Sequence, residues 1–411
     1  MAKPKIRFNG YTEDWEQRKL GEVIEGVSKK NANGLYTQDD ILACSLGTEL
    51  DRKTIFYGLR STEDSVKSYR IVNIGNVIYT KSPIKGYPNG IVRTCKIVDG
   101  IVPSLYCVYK KKENISIPID TRFIQSYLED KGRLDQYLCP LVNVGARNNV
   151  NITDKEFLEG IIKIPTTVEE QAKIVDVLEK INHLITLHQR KCEQTKTLKK
   201  YMLQKMFPQD GEKVPQIRFE GFTEDWEQRK LSEIALQTYG GGTPKTANEE
   251  FWKGNIPWIQ SSDLIEERLF NVKPRKYISQ EAISKSSTKL VPQNSIAIVT
   301  RVGVGKLAFM PFSYATSQDF LSLSELKIEP KFAVYALYKM MRLVSNEVQG
   351  TSIKGITKDE LLAKEILIPD CEEQKKIGAY LHNLDHLITL HQRKCDELKE
   401  VKKFMLQNMF V

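Results

Sequence analysis

The sequence predicts an α/β (α+β) protein made of two tandem copies of one mixed domain, each followed by a long helix. The main observation is a helical stretch that occurs twice, at residues 168–207 and 372–410, with the block HLITLHQRKC identical in both copies. A second segment, residues 6–23, also returns almost unchanged at residues 217–234. A repeat of about 205 residues is too long for a solenoid unit, which indicates two copies of a domain plus helix.

Each long helix carries one apolar stripe. The stripe residues recur at alternating steps of four and three, an average of about 3.5 that places them on one helix face and requires a partner helix to cover it. The natural partner is the other copy. A rod of about 40 residues would be roughly 60 Å long at about 1.5 Å per residue. Candidates for this seam, or for partner binding beside it, are Leu178, Ile181, Ile185, Leu187, Leu381, Leu384, Ile388 and Leu390.

The starts of the long helices are marked by capping patterns. Thr167 and Glu170 fit the capping box, in which an N-cap oxygen and a side chain three residues later satisfy free backbone amides. Asp370 and Glu373 repeat the pattern in the second copy. Each start also follows a strand-like apolar run that ends in proline, IIKIP or ILIP. We therefore predict a helix start at both places.

The repeated segment before each domain is interpreted as a packing segment. We expect Trp15 and its copy Trp226 to be buried anchors. Thr12 and its copy Thr223 are expected to cap a short helix. Nothing in the segment has the residue spacing of a catalytic or metal site.

The two blocks between the repeated parts differ from each other in sequence. Runs such as SYRIVNIGNVIYTK, GIVRTCKIV and NSIAIVTRVGVGKLAFM have the β-branched content and glycine turns of strands, while TRFIQSYLEDKGRLDQYL and KFAVYALYKMMRLVSNEV are typical of helices. The repeated segments and long helices thus form a constant frame, and the two different blocks between them are expected to perform different versions of the same function. The predicted parts are a repeat segment (1–23), a first domain (24–166), a long helix (167–208), a linker with the second repeat segment (209–234), a second domain (235–369) and a second long helix (370–411).

Composition favours an anionic partner. The 411-residue chain has a net charge of +9, a basic excess that favours nucleic acid without requiring it. The sequence has no N-terminal signal pattern and no run of about 18 apolar residues, and its seven scattered cysteines include no CxxC pair. We therefore expect a cytoplasmic protein with reduced thiols.

No catalytic constellation is present in the sequence. The glycine runs YGGGTPKT and RVGVGKL lack the GxxxxGKS or GxxxxGKT phosphate loop and the GxGxxG dinucleotide pattern. Asp370 and Glu373 are better explained by helix capping than by a metal nuclease. We therefore predict no cofactor and no catalytic residue in this chain, and an enzyme acting by itself has no residues to support it.

One pair of residues in each long helix has the spacing of metal ligands. His188 and Cys192, and their copies His391 and Cys395, share a helix face at i and i+4. If the helices ran antiparallel, the two pairs could meet and bind zinc. The preferred interpretation is a partly polar layer in the seam that sets its register, with no metal.

Loops of both blocks combine cations, amides and hydroxyls. These groups position phosphates and form hydrogen bonds with base edges. The candidates in the first block are Lys29, Lys30, Asn31, Asn33, Lys81, Lys85, Arg147, Asn148 and Asn149. Those in the second block are Thr243, Lys245, Thr246, Gln260, Ser261, Ser262, Arg301, Lys306, Gln318, Ser352 and Lys354.

With these motifs the chain resembles the specificity (S) subunit of type I restriction-modification systems, the HsdS family. In the second half, GGTPKTANEEFWKGNIPWIQSSDL, ISKSSTKLVPQNSIAIVTRVGVGKLA, ATSQDF and QGTSIKGITKDELLAKEILIPDCEEQKKI follow that family's target-recognition domain nearly phrase by phrase. The first block lacks the GGTP and IPW phrases and resembles a different class of recognition domain. The repeated segments and long helices also match, so the resemblance covers essentially the whole chain.

The resemblance implies two target-recognition domains with mixed or antiparallel sheets, separated by two helices that pair as an antiparallel coiled coil, in a pseudo-twofold repeat. Each domain would read one half of an asymmetric, bipartite double-stranded DNA target. The helices would set the gap and dock two methylation (M) subunits, which restriction and motor (R) subunits join. The chain would be non-catalytic, with S-adenosylmethionine, ATP and Mg on the partner subunits.

Two other functions remain open from the residues. A self-standing DNA-binding protein with two reading heads would bind its site tightly without partners. A protein-assembly scaffold would use its blocks to bind protein instead of DNA. The salt dependence of binding would distinguish the scaffold from both DNA-binding functions, because phosphate contacts make the affinity for DNA fall steeply with ionic strength.

Overall fold

A computed structural model describes residues 3–44, 49–52, 62–113, 115, 117–144, 150–209, 211–349 and 355–411. The chain forms two compact units. Unit 1 comprises Met1–Gln189 with Arg393–Val411, and unit 2 comprises Arg190–Gln392. Each long helix therefore begins in one unit and ends in the other.

Unit 1 combines short strands with short helices before the first long helix. Its strands are β1 (Glu16–Lys19), β2 (Ile24–Gly26), β3 (Leu42–Ala43), β4 (Asp51–Arg52), β5 (Arg70–Val72), β6 (Val77–Thr80), β7 (Ile91–Thr94), β8 (Gly100–Val102), β9 (Tyr106–Lys111), β10 (Asn143–Val144), β11 (Val150–Asn151) and β12 (Ile161–Ile164). Its helices are α1 (Glu63–Lys67), α2 (Thr121–Tyr127), α3 (Lys131–Leu138), α4 (Asp154–Leu158) and the first part of α5 (Val168–Lys205).

Unit 2 repeats this organisation around one longer domain helix. Its strands are β13 (Glu227–Lys230), β14 (Ala235–Gly240), β15 (Ile256–Ile259), β16 (Lys276–Ile278), β17 (Ser295–Val299), β18 (Leu307–Met310), β19 (Ala315–Thr316), β20 (Phe320–Leu326) and β21 (Glu365–Ile368). Its helices are α6 (Leu231–Ile234), α7 (Gln280–Lys285), α8 (Pro330–Gln349), α9 (Lys358–Ala363) and the first part of α10 (Cys371–Asn408).

Both units are built around a four-stranded antiparallel sheet with the same strand order. The order is β2-β9-β6-β7 in unit 1 and β14-β20-β17-β18 in unit 2. In each, an edge strand that comes first along the chain pairs with the last strand, and a hairpin completes the sheet. Unit 2 adds the sheet β16-β15-β19, in which β15 and β19 run parallel. The predicted mixed or antiparallel sheets are confirmed, and two dissimilar blocks share one topology.

The frame around each sheet is also the same in both units. Strand β1 pairs antiparallel with β12, and β13 pairs in the same way with β21. The short helix predicted after Thr12 and Thr223 is therefore wrong, because the EQRK stretch is a strand in both copies. The apolar strand before each long helix needs a hydrogen-bonding partner for its backbone, and EQRK supplies it.

Each core is closed by the end of a long helix. In unit 1 the Trp15 ring lies 5.6 Å from Phe123 and 6.1 Å from Phe410, at the end of α10. In unit 2 Trp226 lies 5.8 Å from Phe207, just after α5. The prediction that both tryptophans are buried anchors is confirmed.

The long helices pack antiparallel within each unit. In unit 2, Cys192 contacts Ile388 while Lys199, further along α5, contacts the earlier residue Asp385 of α10. In unit 1 the start of α5 shares a core cluster with the end of α10. The stripe positions, which follow alternating steps of four and three from Ile174 to Met206 and from Ile377 to Met409, are buried or half-buried along both helices. No helix of the described residues is long and apolar enough to cross a membrane.

The helix starts are confirmed, but only half of each capping box forms. The Glu170 amide donates to Thr167, and the Glu373 amide donates to Asp370. Neither glutamate side chain returns to its N-cap residue. The Glu170 carboxylate instead accepts hydrogen bonds from Arg7 at 2.7 and 2.9 Å. The capping-box prediction is thus wrong for these side chains, because a buried carboxylate gains more from an arginine than from one amide.

The predicted helix over TRFIQSYLEDKGRLDQYL is interrupted. It forms α2 and α3, and Asp130 caps the second helix by accepting a hydrogen bond from the Arg133 amide at 3.0 Å. The break directs the Arg133 guanidinium to the end of α10, where it donates to the Leu406 carbonyl at 2.7 Å. The interruption therefore serves the docking of the long helix.

Candidate nucleic-acid interface

The loops of unit 2 that carry the candidate residues emerge at one edge of its main sheet. Gly240, the last residue of β14, pairs with Leu321 near the start of β20. Val299, the last residue of β17, pairs with Phe320. Strand β18 starts beside the end of β17. The loop after β14, the β17–β18 hairpin and the turn before β20 therefore meet at this edge, which we call the loop edge of unit 2.

The smaller sheet adds its own loops to the same edge. Ile259, the last residue of β15, pairs in parallel with Thr316, and its carbonyl accepts a hydrogen bond from the Ser317 amide at 3.0 Å. Gln260 and Ser261 follow directly. They therefore lie beside the turn that leads into β20.

Two contacts link candidate residues that are far apart in sequence. The Thr243 hydroxyl donates to the Gln318 amide oxygen at 2.6 Å. The Lys306 ammonium lies 3.5 Å from the Ser261 carbonyl. The structure thus brings together Thr243, Gln260, Ser261, Arg301, Lys306 and Gln318. Lys245, Thr246 and Ser262 are exposed on the same loops.

Unit 1 builds a corresponding edge from a different sequence. Thr80, the last residue of β6, pairs with Tyr106 at the start of β9 and with Ile91 at the start of β7. The β6–β7 hairpin carries Lys81 and Lys85. Its position matches that of the β17–β18 hairpin in unit 2, since the strand order is the same.

The remaining candidates of unit 1 follow β2. Lys29 and Lys30 leave the end of this strand and are exposed, and so is Asn33. Gly26, the last residue of β2, pairs with Tyr109, and the Val27 amide donates to the Val108 carbonyl at 2.8 Å. The chain after β2 therefore runs towards the start of β9 and the edge of the sheet that carries the β6–β7 hairpin. We call this the loop edge of unit 1.

Asn31 does not belong to the interface. It is 1% exposed, and its amide nitrogen donates to the carbonyls of Tyr36 and Val66 at 2.8 and 3.2 Å. Its amide oxygen accepts the Tyr36 amide at 3.0 Å. The candidate role is corrected, because a buried side chain with these bonds holds its own loop and has no surface for a ligand.

Five candidates lie outside the described residues. They are Arg147, Asn148, Asn149, Ser352 and Lys354.

Two cations of the loop edge of unit 2 were missed in the sequence. Arg275 lies 3.4 Å from Asp263, whose other carboxylate oxygen accepts the Gln260 amide at 2.9 Å. Lys276 starts β16 opposite Trp258, with its ammonium 5.7 Å from that ring. The run KPRK before a strand is a charge signal that could have identified them.

Comparison with known proteins shows similarity to specificity subunits of type I restriction enzymes. The family model for the type I restriction modification DNA specificity domain matches residues 223–400. The MjaIX specificity subunit of a type I restriction enzyme from Methanocaldococcus jannaschii is 29% identical over 199 residues, which span 46% of this chain and 44% of that protein. The MjaVIII specificity subunit from the same organism is 23% identical over 95% of this chain and 91% of that protein.

Residues 223–400 thus resemble a type I restriction DNA specificity domain, and the chain as a whole is similar to specificity subunits of type I restriction enzymes. A crystal structure of the type I restriction-modification system S subunit from M. genitalium matches this chain with a TM-score of 0.63 and 13% identity over 100% of this chain and 99% of that chain. At this identity the similarity concerns the fold alone.

The long helices expose further apolar side chains beside the seam. Seam residues Leu178, Ile181, Leu381 and Leu384 are buried, and Ile185 and Ile388 are half-buried. Beside them, Leu184 is 41% exposed and its copy Leu387 is 40% exposed. Other apolar residues with exposed or half-buried side chains are Leu187, Leu198 and Tyr201 on α5 and Leu390, Val401 and Phe404 on α10. We call these two equivalent sets the shoulders.

The histidine and cysteine pairs do not form a metal site among the described residues. No group of three His, Cys, Asp or Glu residues there is placed to hold a metal. Cys192 is buried, with its sulfur 3.8 Å from the Ile388 carbonyl. Cys395, its copy in the second long helix, is likewise buried.

Proposed function

We propose that this chain acts as the specificity subunit of a type I restriction-modification system and reads a split, asymmetric sequence in double-stranded DNA. The loop edge of unit 1 would read one half and the loop edge of unit 2 the other. The observation that carries the proposal is that two dissimilar sequences place polar side chains at the corresponding edge of corresponding sheets, lysines and an amide in unit 1 and cations, amides and hydroxyls in unit 2. Such groups hold phosphates and form hydrogen bonds with base edges. Because the two sets differ, the two half-sequences should differ.

The long helices would set the gap between the two half-sequences. Each has 38 residues, a length of roughly 57 Å. A half-site displaced by one base pair moves about 3.4 Å along the duplex and turns around it, which would break both sets of contacts. Paired helices would favour a fixed gap, because a helix pair resists bending.

The shoulders would dock two methylation subunits. Each shoulder exposes apolar side chains at equivalent positions of α5 and α10, around the identical HLITLHQRKC block. Exposed apolar groups in a repeated arrangement are typical of a protein-binding surface. Two equivalent shoulders suit two identical partners, to which restriction and motor subunits would then bind.

The experiment is single-molecule sequencing of adenine methylation. A host that lacks its own methylases would express this chain together with its methylation subunit. We expect one split, asymmetric motif with a constant gap. Absence of any motif, when the subunits are seen to assemble, would contradict the proposal and favour a scaffold. Tight binding of the motif by the isolated chain would favour a self-standing DNA-binding protein.

A further inference from the structure

The tip of the β17–β18 hairpin presents one apolar side chain to solvent. The Val304 amide donates to the Arg301 carbonyl at 3.2 Å and closes a tight turn. Gly303, the third residue of this turn, has a φ of +91°, which a type II turn requires at that place. Val302 is the second residue of the turn and is 71% exposed.

The hairpin is anchored on both sides of its tip. The Thr300 amide, before the turn, donates to the Asp319 carbonyl at 2.8 Å. Gly305, after the turn, passes so close to α8 that an added Cβ would lie 3.0 Å from the Ser345 Cβ. Val302 is therefore presented from a supported loop, and little ordering is needed when it meets a ligand.

The surroundings of Val302 distinguish it from an ordinary exposed valine. Single exposed apolar residues are normal on a protein surface. This one follows Arg301 directly and lies on the same hairpin as Lys306, at the edge to which Ser261 and Gln318 contribute polar groups. The valine side chain can neither donate nor accept a hydrogen bond, so it cannot form hydrogen bonds with phosphates or with the polar groups of base edges. The apolar feature of the major groove is the C5 methyl group of thymine.

We propose that Val302 is a specificity-determining residue that contacts a thymine methyl in the half-sequence read by unit 2. The inference rests on the proposed function, because it needs the loop edge of unit 2 to face DNA. It follows that this half-sequence contains a thymine whose methyl group contributes to binding. Loss of one buried methyl group corresponds to an affinity about three- to fivefold lower.

The test replaces thymine by deoxyuridine, which lacks only the C5 methyl group. Duplexes carrying the motif found by methylation sequencing are prepared with each thymine of the unit 2 half replaced in turn. Their affinity is measured for the complex of this chain with its methylation subunit. We expect one position at which deoxyuridine weakens binding about three- to fivefold.

Variants then assign that position to one side chain. In Val302→Ala the effect of deoxyuridine at this position should fall below about 1.5-fold, because the contacting methyl groups are gone. Val302→Ser is a second small variant, for use if the first assembles poorly. Val214→Ala is the matched control, because Val214 is also exposed and lies in the segment that links the two halves. It should keep the wild-type sensitivity at every position.

The outcomes separate this inference from the function on which it rests. The inference is overturned if the half-sequence has no thymine, if no deoxyuridine position weakens binding, or if the sensitivity persists in the Val302 variants. In all three cases the complex would still prefer its motif, and the proposed function would stand. Equal binding of the motif and a scrambled duplex would remove both.

Discussion

At the scale of single residues, a buried ion pair joins the repeated segment to each long helix. In unit 2 the Arg218 guanidinium donates to both oxygens of Glu373 at 2.8 Å, and Glu373 is completely buried. The hydrogen bond to Glu373 raises the pKa of Arg218, so the cation remains charged beside its carboxylate. Removal of one partner would leave the other buried and unpaired.

We therefore predict that Glu373→Gln lowers the free energy of unfolding by about 3 kcal/mol, because Arg218 loses its counter-charge. The measurement is equilibrium unfolding in urea. Glu372→Gln is the matched control, because its neighbour Glu372 pairs with Lys375 at the surface and should contribute less than about 1 kcal/mol. Equal stability of the two variants would contradict a structural role for the buried pair.

Arg301 is the residue for which a DNA contact is easiest to test. It is exposed at the loop edge of unit 2. We predict that Arg301→Gln weakens DNA binding and lowers the slope of log K against log salt by about one, as expected for the loss of one phosphate contact. Binding measured across a range of salt concentrations checks this.

The control for that experiment is Arg229→Gln. Arg229 is exposed on the frame strand β13, where it pairs with Glu227. Its substitution should leave the salt slope unchanged. If the slope is the same in both variants and the wild-type chain, Arg301 does not contact a phosphate.

At the scale of elements, a lysine in the last part of each long helix forms an ion pair in the unit where that helix ends. In unit 2 Lys199 is 6% exposed, and its ammonium lies 2.6 Å from Asp385. The Tyr335 hydroxyl donates to the same carboxylate, and burial raises the pKa of this tyrosine well above its ordinary range. In unit 1 the equivalent Lys402 pairs with Glu129, a residue of the domain. The two equivalent lysines thus pair with acids from different elements, Asp385 of α10 and Glu129 of the first domain.

We predict a coupling energy of about 1–3 kcal/mol between Lys199 and Asp385, because the pair is largely shielded from water. The measurement is a double-mutant cycle with Lys199→Met and Asp385→Asn, followed by urea unfolding. Lys394 and Glu397, an exposed pair on α10, provide the control cycle, with an expected coupling of about 0.5 kcal/mol or less. Equal coupling in both cycles would show that burial of the first pair has no effect.

The shoulders lead to a prediction about assembly. We expect Leu184→Glu with Leu387→Glu to prevent binding of both methylation subunits, because a carboxylate would be buried without a partner at each shoulder. The chain should still fold, since both leucines are already about 40% exposed. Native mass spectrometry should report one bound methylation subunit for either single variant.

Leu35→Glu is the control for the assembly experiment. Leu35 is 71% exposed in a loop of unit 1, away from the long helices in sequence. It should leave assembly unchanged. Full assembly of the double shoulder variant would instead direct attention to the variable domains as the docking surface.

At the scale of the whole molecule, the shared topology predicts that the variable blocks can be exchanged. The frame contacts lie outside the loop edges: Trp226 packs on Phe207, and β13 pairs with β21. We predict that replacing residues 240–354 with the corresponding block of another family member changes one half of the motif and leaves the gap unchanged. Methylation sequencing checks both features. A change in both halves or in the gap would show that the two units do not read independently.

Local sequence patterns were sufficient to predict the repeat, the long helices and their starts, and most of the strands. These features depend on local patterns: the 3.5-residue stripe, the N-cap residues Thr167 and Asp370, and runs of β-branched residues. The resemblance to the specificity-subunit family followed from the same motifs. Each of these signals lies within a short stretch of sequence, so it can be recognised without knowledge of contacts between distant residues.

Contacts between residues that are distant in sequence follow from the tertiary fold. EQRK is a strand because β12 and β21 need partners, and Glu170 binds Arg7 instead of its own cap. Asn31 is of a residue type that is suited to DNA binding, yet its side chain is buried within its own loop. Thr243 and Gln318 are distant in sequence and touch only because β14 and β20 are neighbours in the sheet. Residue type is written in the sequence, but burial and contact come from strand pairing across long separations, which local patterns do not specify.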